Sequence, residues 1–146
     1  MSNLGKIPPQ NIEIEEAVLG SLIIDKSRQN IIDSIEPDYF YSENNRIIFE
    51  AIVALKKQNN PIDVITIANY LSSTNKLEQV GGRVYLSNLT SKVASTNHLE
   101  FHSYILEQKY ILRKLIKDSS ELERDCYNDE TDQDELIERV KRPMTR

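Results

Sequence analysis

Residues 12–25 read IEIEEAVLGSLIID, and their periodicity decides the fold class. The first four alternate apolar and acidic residues as a strand would, but apolar residues then follow at almost every position. At ~100° per residue, Glu13, Glu16 and Gly20 share one narrow arc, and nearly all other positions are apolar. Asn11 can serve as the N-cap, and the glutamates lie in the first turns, where the helix dipole favours negative charge. The stretch is therefore predicted to be a helix that is buried on most sides.

The glycine inside this helix indicates a close approach by another segment. Gly20 costs about 1 kcal/mol relative to alanine in a helix interior, so a packing reason is expected. We expect Gly20 to lie against another helix of the core, while Glu13 and Glu16 remain on the outer arc. The acidic pairs Glu15-Glu16 and Asp129-Glu130 are expected on the solvated surface or in loops.

Length and composition describe one domain, or one domain with an appendage. The chain has 146 residues, of which 39% are hydrophobic and 28% charged, as in ordinary globular proteins. The sequence contains no run of about 18 apolar residues, so no membrane span is predicted. The first ten residues lack the apolar stretch of a signal peptide. Cys126 is the only cysteine, so the chain has no internal disulfide, which fits a reducing compartment.

Turn-forming residues divide the rest of the chain into helical segments, which predicts an all-α fold. Further helices are expected at 28–35, 46–57, 64–71 and 83–93, with a loop at 72–79. No proline or glycine interrupts residues 97–124, which predicts one helix of roughly 40 Å. We therefore expect a compact multi-helix head with an N-terminal tail at 1–96, followed at 97–146 by a long helix and a short helical hairpin.

The long helix carries an apolar seam with coiled-coil spacing. Its a/d-like positions include Ile105, Leu112, Leu115 and Leu122, and Leu136, Ile137 and Val140 of a last helix can fold back onto it. A hairpin with apolar surface left over favours oligomerisation over a lone bundle. The predicted dimer seam is Ile105, Leu112, Leu115, Leu122, Ile137 and Val140.

Patterns for catalysis or for a metal site are missing from the sequence. His98 and His102 lie one helical turn apart, but no third ligand is evident, so no metal site is expected. The phosphate-loop pattern GxxxxGK[ST] and the dinucleotide pattern GxGxxG do not occur. Cys126 has no histidine within local reach, which makes a nucleophile improbable. We therefore predict no catalytic residues, and no ATP hydrolysis by this chain alone.

The charge balance bears on nucleic-acid binding. A net charge of −5 argues against a duplex-binding domain, which needs clustered positive charge. Lys109, Arg113 and Lys117 do share one face of the long helix. That face is either solvated or a site for single strands, and we expect weak or no direct nucleic-acid binding.

As a whole, the sequence resembles the N-terminal domain of bacterial replicative DNA helicases, the DnaB family. The resemblance covers roughly residues 7–125 and rests on five blocks in the right order and spacing. These are IPPQNIEIEEAVLGSLIID (7–25), DYFYSENNRIIFEAI (38–52), PIDVITIANYL (61–71), LEQVGGRVYLSNL (77–89) and NHLEFHSYILEQKYILRKLI (97–116). Each block alone is moderately specific, and together they are highly specific.

The resemblance implies an all-helical head and a hairpin that pairs between subunits, forming a trimer-of-dimers collar on a hexameric ring. It also implies docking of primase and of the helicase loader. The positions that match the family's primase-facing surface are Glu13, Tyr85, Ile116 and Leu122. ATP and Mg²⁺ would belong to a separate RecA-like motor domain, which is absent here, so no cofactor is expected in this segment. The expected location is the bacterial cytoplasm, with a plastid stroma as the alternative.

The end of the chain departs from the family pattern. The stretch ELIERVKRPMTR is short for a second hairpin helix, and Pro143 would stop that helix. We therefore expect an incomplete hairpin, belonging either to a cut segment or to a natural fragment.

Three functional hypotheses follow. The first is the collar domain of a replicative helicase, a module for ring assembly and partner docking. The second is a freestanding regulator that mimics this domain and acts on helicase rings or on primase. The third is a helical nucleic-acid binder using Lys109, Arg113 and Lys117, whose binding would weaken steeply with salt.

Overall fold

The computed structural model describes residues 6–142, and these residues form helices without strands, which confirms the predicted all-α class. Two 3₁₀ segments, Lys26–Ser34 and Pro37–Tyr39, follow the first α-helix. The α-helices are α1 (Ile12–Ile24), α2 (Glu43–Lys57), α3 (Val64–Ser73), α4 (Leu77–Val80), α5 (Gly82–Ser91), α6 (Leu99–Cys126) and α7 (Gln133–Lys141). Pro143 lies outside the described residues.

The chain forms two compact units. The head unit spans Pro9–Tyr110, and the hairpin unit contains residues 111–142 together with residues 6–8. The boundary falls inside α6 and not at its start, because Leu99 and Leu106 are buried in the core of the head. The first turns of the long helix therefore belong to the head.

The head core is apolar, and α1, α2, α3, α5 and α6 all contribute side chains to it. Its largest fully buried side chains are Leu19 and Leu22 of α1, Phe40 between the second 3₁₀ segment and α2, Ile48, Phe49 and Ile52 of α2, Ile67 and Leu71 of α3, Leu86 and Leu89 of α5, and Leu99 and Leu106 of α6. Phe40 and Phe49 pack at 5.1 Å between ring centroids. A core of this kind holds the head together chiefly by removing apolar surface from water.

The first helix begins as its sequence predicts. The Asn11 side chain accepts a hydrogen bond of 3.0 Å from the backbone N–H of Ile14, and Asn11 itself has extended backbone. Gly20 is buried where α1 contacts α5. A Cβ at Gly20 would overlap the backbone carbonyl of Leu89 and lie 2.6 Å from Cγ2 of Val93. The predicted close helix packing is confirmed.

Three local predictions need correction. The expected loop at 72–79 contains the short helix α4, and the expected helix at 28–35 is a 3₁₀ segment. Glu15 is not on the solvated surface but 1% exposed, because its carboxylate accepts hydrogen bonds inside the head.

A hydrogen bond and an ion pair connect the start of α6 to the segment that follows α1. The Thr96 hydroxyl donates to the Asp25 carboxylate at 2.7 Å, and Arg28 pairs with Glu100 at 2.8 Å. Hydrogen bonds from Ser27 and then from Thr96 hold the pKa of Asp25 below its ordinary value. These contacts fix where the long helix leaves the head core.

In the hairpin unit, α7 folds back on α6 as predicted. The Asp132 side chain caps α7 by accepting from the N–H of Asp134 at 2.9 Å, and Arg139 pairs with Asp125 at 3.0 Å. Arg142 has extended backbone, so α7 ends at Lys141. None of the described helices is long and apolar enough to cross a membrane.

Candidate interaction surface

The hairpin unit exposes apolar side chains along α6. Leu112 is 44% and Leu115 45% exposed, and Ile116 beside them is exposed as well. All three lie on the part of α6 that precedes the α7 contact. Large apolar side chains clustered on one exposed face mark a contact surface more often than a solvated one.

The distal end of the hairpin contains an apolar groove of about 430 Å³. Its lining comes from both helices: Leu122, Cys126, Gln133, Leu136, Ile137, Val140 and Lys141. Ile137 and Val140 are exposed at its edge, Val140 by 66%. The groove is open to solvent and apolar, so it can accept apolar side chains of another molecule.

The predicted seam residues are therefore divided between the units. Leu112, Leu115, Leu122, Ile137 and Val140 lie in the hairpin unit, whereas Ile105 lies in the head unit and is half-buried. Phe101 and Tyr104, which the predicted seam did not include, are exposed on the head part of α6. Phe101 lies four residues before the predicted seam residue Ile105, an a/d-type offset that could have pointed to it, and Tyr104 is the residue next to Ile105.

The four residues matched to a primase-facing surface are divided in the same way. Glu13 is exposed in the first turn of α1 and Tyr85 is half-buried on α5, both in the head. Ile116 is exposed and Leu122 half-buried, both in the hairpin unit.

The hydroxyl of Tyr85 is engaged inside the head. It donates to Oδ1 of Asn45 at 2.6 Å and lies 3.3 Å from Oε2 of Glu16. Burial, and then the negative charge of Glu16, raise the pKa of Tyr85, so the hydroxyl remains a donor. Lys92 pairs with the other oxygen of Glu16 at 3.2 Å. The hydroxyl of Tyr85 is therefore engaged within the head.

Sequence reasoning missed the centre of this network, the Glu15 carboxylate. It accepts from the backbone N–H groups of Tyr41 at 2.7 Å and Ser42 at 3.3 Å, and from Nδ2 of Asn45 at 3.0 Å. A signal was present, because Glu15 lies four and seven residues before the core residues Leu19 and Leu22. This network joins α1 to the start of α2 and to α5.

The remaining candidates have ordinary surroundings. The rings of His98 and His102 are 6.1 Å apart, and residues 6–142 contain no group of three or more potential metal ligands. Cys126 is exposed in the groove. On the basic face of α6, Lys117 is exposed, and the adjacent Lys114 pairs with Asp118 at 3.3 Å.

The described residues combine an all-helical head unit with a helical hairpin unit that carries exposed apolar residues. The chain belongs to the family described as the DnaB-like helicase N terminal domain, whose model matches residues 7–108. This assignment agrees with the five sequence blocks.

Replicative DNA helicases are among the relatives of this chain. The chain is 36% identical over 143 residues to the replicative DNA helicase DnaB of Rhodothermus marinus, covering 97% of this chain and 15% of that protein. It is 33% identical over 140 residues to the replicative DNA helicase DnaC of Bacillus subtilis, covering 95% of this chain and 31% of that protein. The chain thus spans less than a third of the length of these relatives.

Solved structures share the fold. The N-terminal domain of DnaB helicase from Mycobacterium tuberculosis superimposes with a TM-score of 0.83 at 26% identity, over 92% of this chain and 96% of that one. A DnaB-like replicative helicase, described with its interactions with primase, gives a TM-score of 0.68 at 26% identity, over 79% of this chain and 27% of that one.

Proposed function

We propose that this chain is the interaction module at the N-terminal end of a replicative helicase, where it joins subunits through its hairpin and docks primase and the helicase loader. The module itself carries no catalytic step and needs no cofactor, and ATP and Mg²⁺ act on a separate motor domain of the whole protein. It contacts DNA weakly or not at all, and it works in the bacterial cytoplasm or a plastid stroma.

The exposed apolar face of the hairpin carries this proposal. Leu112, Leu115 and Ile116 are exposed on α6, and Ile137 and Val140 on α7. Covering them with a second hairpin would remove their apolar surface from water, which favours association by ~25 cal/mol per Å² before the costs of binding. The similarity to a helicase N-terminal domain supports this assignment of the face.

Replacing Leu112 by aspartate is expected to convert an oligomer into monomers. The substitution puts a charge into the apolar contact, and a contact residue of this kind is worth roughly 2–3 kcal/mol, or a rise of about 100-fold in the dissociation constant. The measurement is the mass in solution, by light scattering across a concentration series.

Lys117→Gln is the matched control for Leu112→Asp. It changes the net charge by the same single unit on the same helix, but Lys117 is five residues from Leu112 and outside the a/d positions. The control should associate like the unaltered chain. A chain that is monomeric at every concentration would remove self-association from the proposed function.

Primase docking is expected to depend on Glu13. Glu13 is exposed on α1 and makes no part of the head core, so Glu13→Lys alters the surface without altering the fold. If primase binds there, charge reversal should weaken binding at least ~10-fold, equal to about 1.4 kcal/mol. Titration of the labelled chain with primase, monitored by fluorescence anisotropy, measures this change.

Glu43→Lys, an equally exposed first-turn glutamate of α2, serves as the control for Glu13→Lys. Equal losses of affinity in both variants would indicate a general charge effect and would remove Glu13 from the docking surface.

A further inference from the structure

The segment Lys26–Ser34, between α1 and α2, is an unusually long 3₁₀ helix, which we call the strap. It has nine residues, whereas 3₁₀ runs of more than about four residues are uncommon because their hydrogen bonds are poorly aligned. Among these nine residues, all of which the structure describes, Ile32 is the only buried one. By contrast, α1 buries seven of its 13 residues. The strap therefore combines a weak backbone geometry with little apolar burial.

The chain is well held on both sides of the strap. Ile23, before it, and Ile35, after it, are buried in the head core. At the start of the strap, the Asp25 carboxylate accepts hydrogen bonds from the backbone N–H of Ser27 at 3.0 Å and from the hydroxyl of Thr96 at 2.7 Å. The middle of the strap can therefore leave the head while its two ends stay in place.

Two ion pairs connect the middle of the strap to other helices of the head. Arg28 pairs with Glu100 in the first turn of α6 at 2.8 Å, and Asp33 pairs with Lys56 in the last turn of α2 at 2.8 Å. The carboxylates of both pairs are largely exposed. Exposed ion pairs each contribute little stability and are screened by salt. The attachment of the strap should therefore weaken as the salt concentration rises.

The strap also covers the C-terminal end of α1. Nε2 of Gln29 donates to the backbone carbonyl of Leu22 at 3.0 Å. The last four carbonyls of an α-helix lack partners within that helix, so this contact satisfies one of them. When the strap opens, water can take the place of Gln29 at a similar energy. Opening the strap therefore does not leave this carbonyl without a donor.

From these observations we infer that residues 26–34 form a salt-sensitive strap that opens as a local unit while the rest of the head stays folded, and that its opening breaks the ion-pair links to the start of α6 and the end of α2. Segments with few buried apolar contacts open at a lower free energy than the core that they cover. In the open state, Thr96 and the buried Leu99 still hold the first turn of α6, but Arg28 no longer does. This inference concerns the head by itself and does not depend on the proposed function.

The first test is native-state hydrogen exchange of the unaltered chain, read by mass spectrometry at increasing, low concentrations of denaturant. The strap amides should be protected at least ~10-fold less than the amides of α1 and α2. Their exchange should also depend little on denaturant, because a local opening exposes little surface. Equal protection and equal denaturant dependence in the strap, α1 and α2 would show that the strap opens only with the whole head, and would overturn the inference.

The second test compares the salt dependence of exchange in two double variants. Arg28→Gln with Asp33→Asn removes both ion pairs of the strap and leaves the net charge unchanged. Raising the salt concentration from about 0.05 to about 0.5 M should speed exchange in the strap roughly fivefold in the native chain and less than about twofold in this variant.

The matched control is Lys114→Gln with Asp118→Asn. It removes an ion pair of 3.3 Å on α6 in the hairpin unit, also without a change in net charge. The control should keep the salt response of the native strap. A native strap whose exchange is independent of salt, or a salt response that persists without Arg28 and Asp33, would overturn the role of the two ion pairs and with it the salt-sensitive strap.

Discussion

Gly20→Ala is expected to lower the free energy of unfolding of the head by about 3 kcal/mol, the upper end for overpacking of a core. The physical reason is the contact of α1 with α5. The added Cβ would meet the carbonyl of Leu89, a backbone atom, and Cγ2 of Val93 at 2.6 Å. A backbone carbonyl cannot turn aside as a side chain can, so the two helices have to separate.

In Gly20→Ala, the gain in helix propensity opposes the loss of packing. Alanine favours a helix interior over glycine by about 1 kcal/mol, so a helix with free space at this position would become more stable. The overlap with α5 is the larger effect. Chemical denaturation with circular dichroism measures the difference, and Ala17→Gly at a partly buried position of the same helix serves as the reference for the propensity effect, about 1 kcal/mol. A Gly20→Ala variant as stable as the native chain would show that α1 and α5 can separate without cost.

Glu15→Ala is the second large effect, an expected loss of roughly 3 kcal/mol, since removing an acceptor leaves buried donors unsatisfied at about 1–3 kcal/mol each. The donors are the N–H groups of Tyr41 and Ser42 and the side-chain amide of Asn45. All three are near the N-terminal end of α2, so the carboxylate also neutralises the positive end of that helix dipole. The melting temperature should fall by about 10 °C for a domain of this size.

Glu15→Gln tests the chemistry of this position without creating a cavity. Oε1 accepts from Ser42 and Asn45, and Oε2 accepts from Tyr41. An amide has one acceptor oxygen, so one of these sets would face an NH₂ group, and the variant should lose nearly as much stability as Glu15→Ala. The control is Glu13→Gln, which is exposed on the same helix and should change stability by less than ~0.5 kcal/mol. A harmless Glu15→Gln would show that shape matters at this position and charge does not.

Sequence patterns were sufficient for the longer α-helices because their signals are local. The cap at Asn11, the uninterrupted run of α6 and the return of α7 each follow from residues within one or two turns of each other. The α4 helix was missed because it has only four residues, Leu77–Val80, too few for a periodic signal.

The candidate surface was predictable in part. The a/d spacing along the sequence identifies Leu112, Leu115 and Leu122, and these residues lie on the exposed face or in the groove. The spacing does not tell which apolar residues of α6 face the head core and which face solvent, since either environment suits an apolar stripe of a helix. Leu106 is buried in the head because the first turns of α6 complete that core.

The sequence alone determined the all-helical class, the long helix and its hairpin, and membership of the helicase N-terminal family, because hydrophobic period, turn residues and motif order are all written along the chain. Only the tertiary structure decided that Glu15 is buried and that Gly20 lies against Leu89. It also decided that α7 packs on α6 near Leu122 and Cys126 and leaves Leu112 and Leu115 exposed. Burial depends on which segments meet, and residues 15 and 41, or 20 and 89, meet only after the chain has folded.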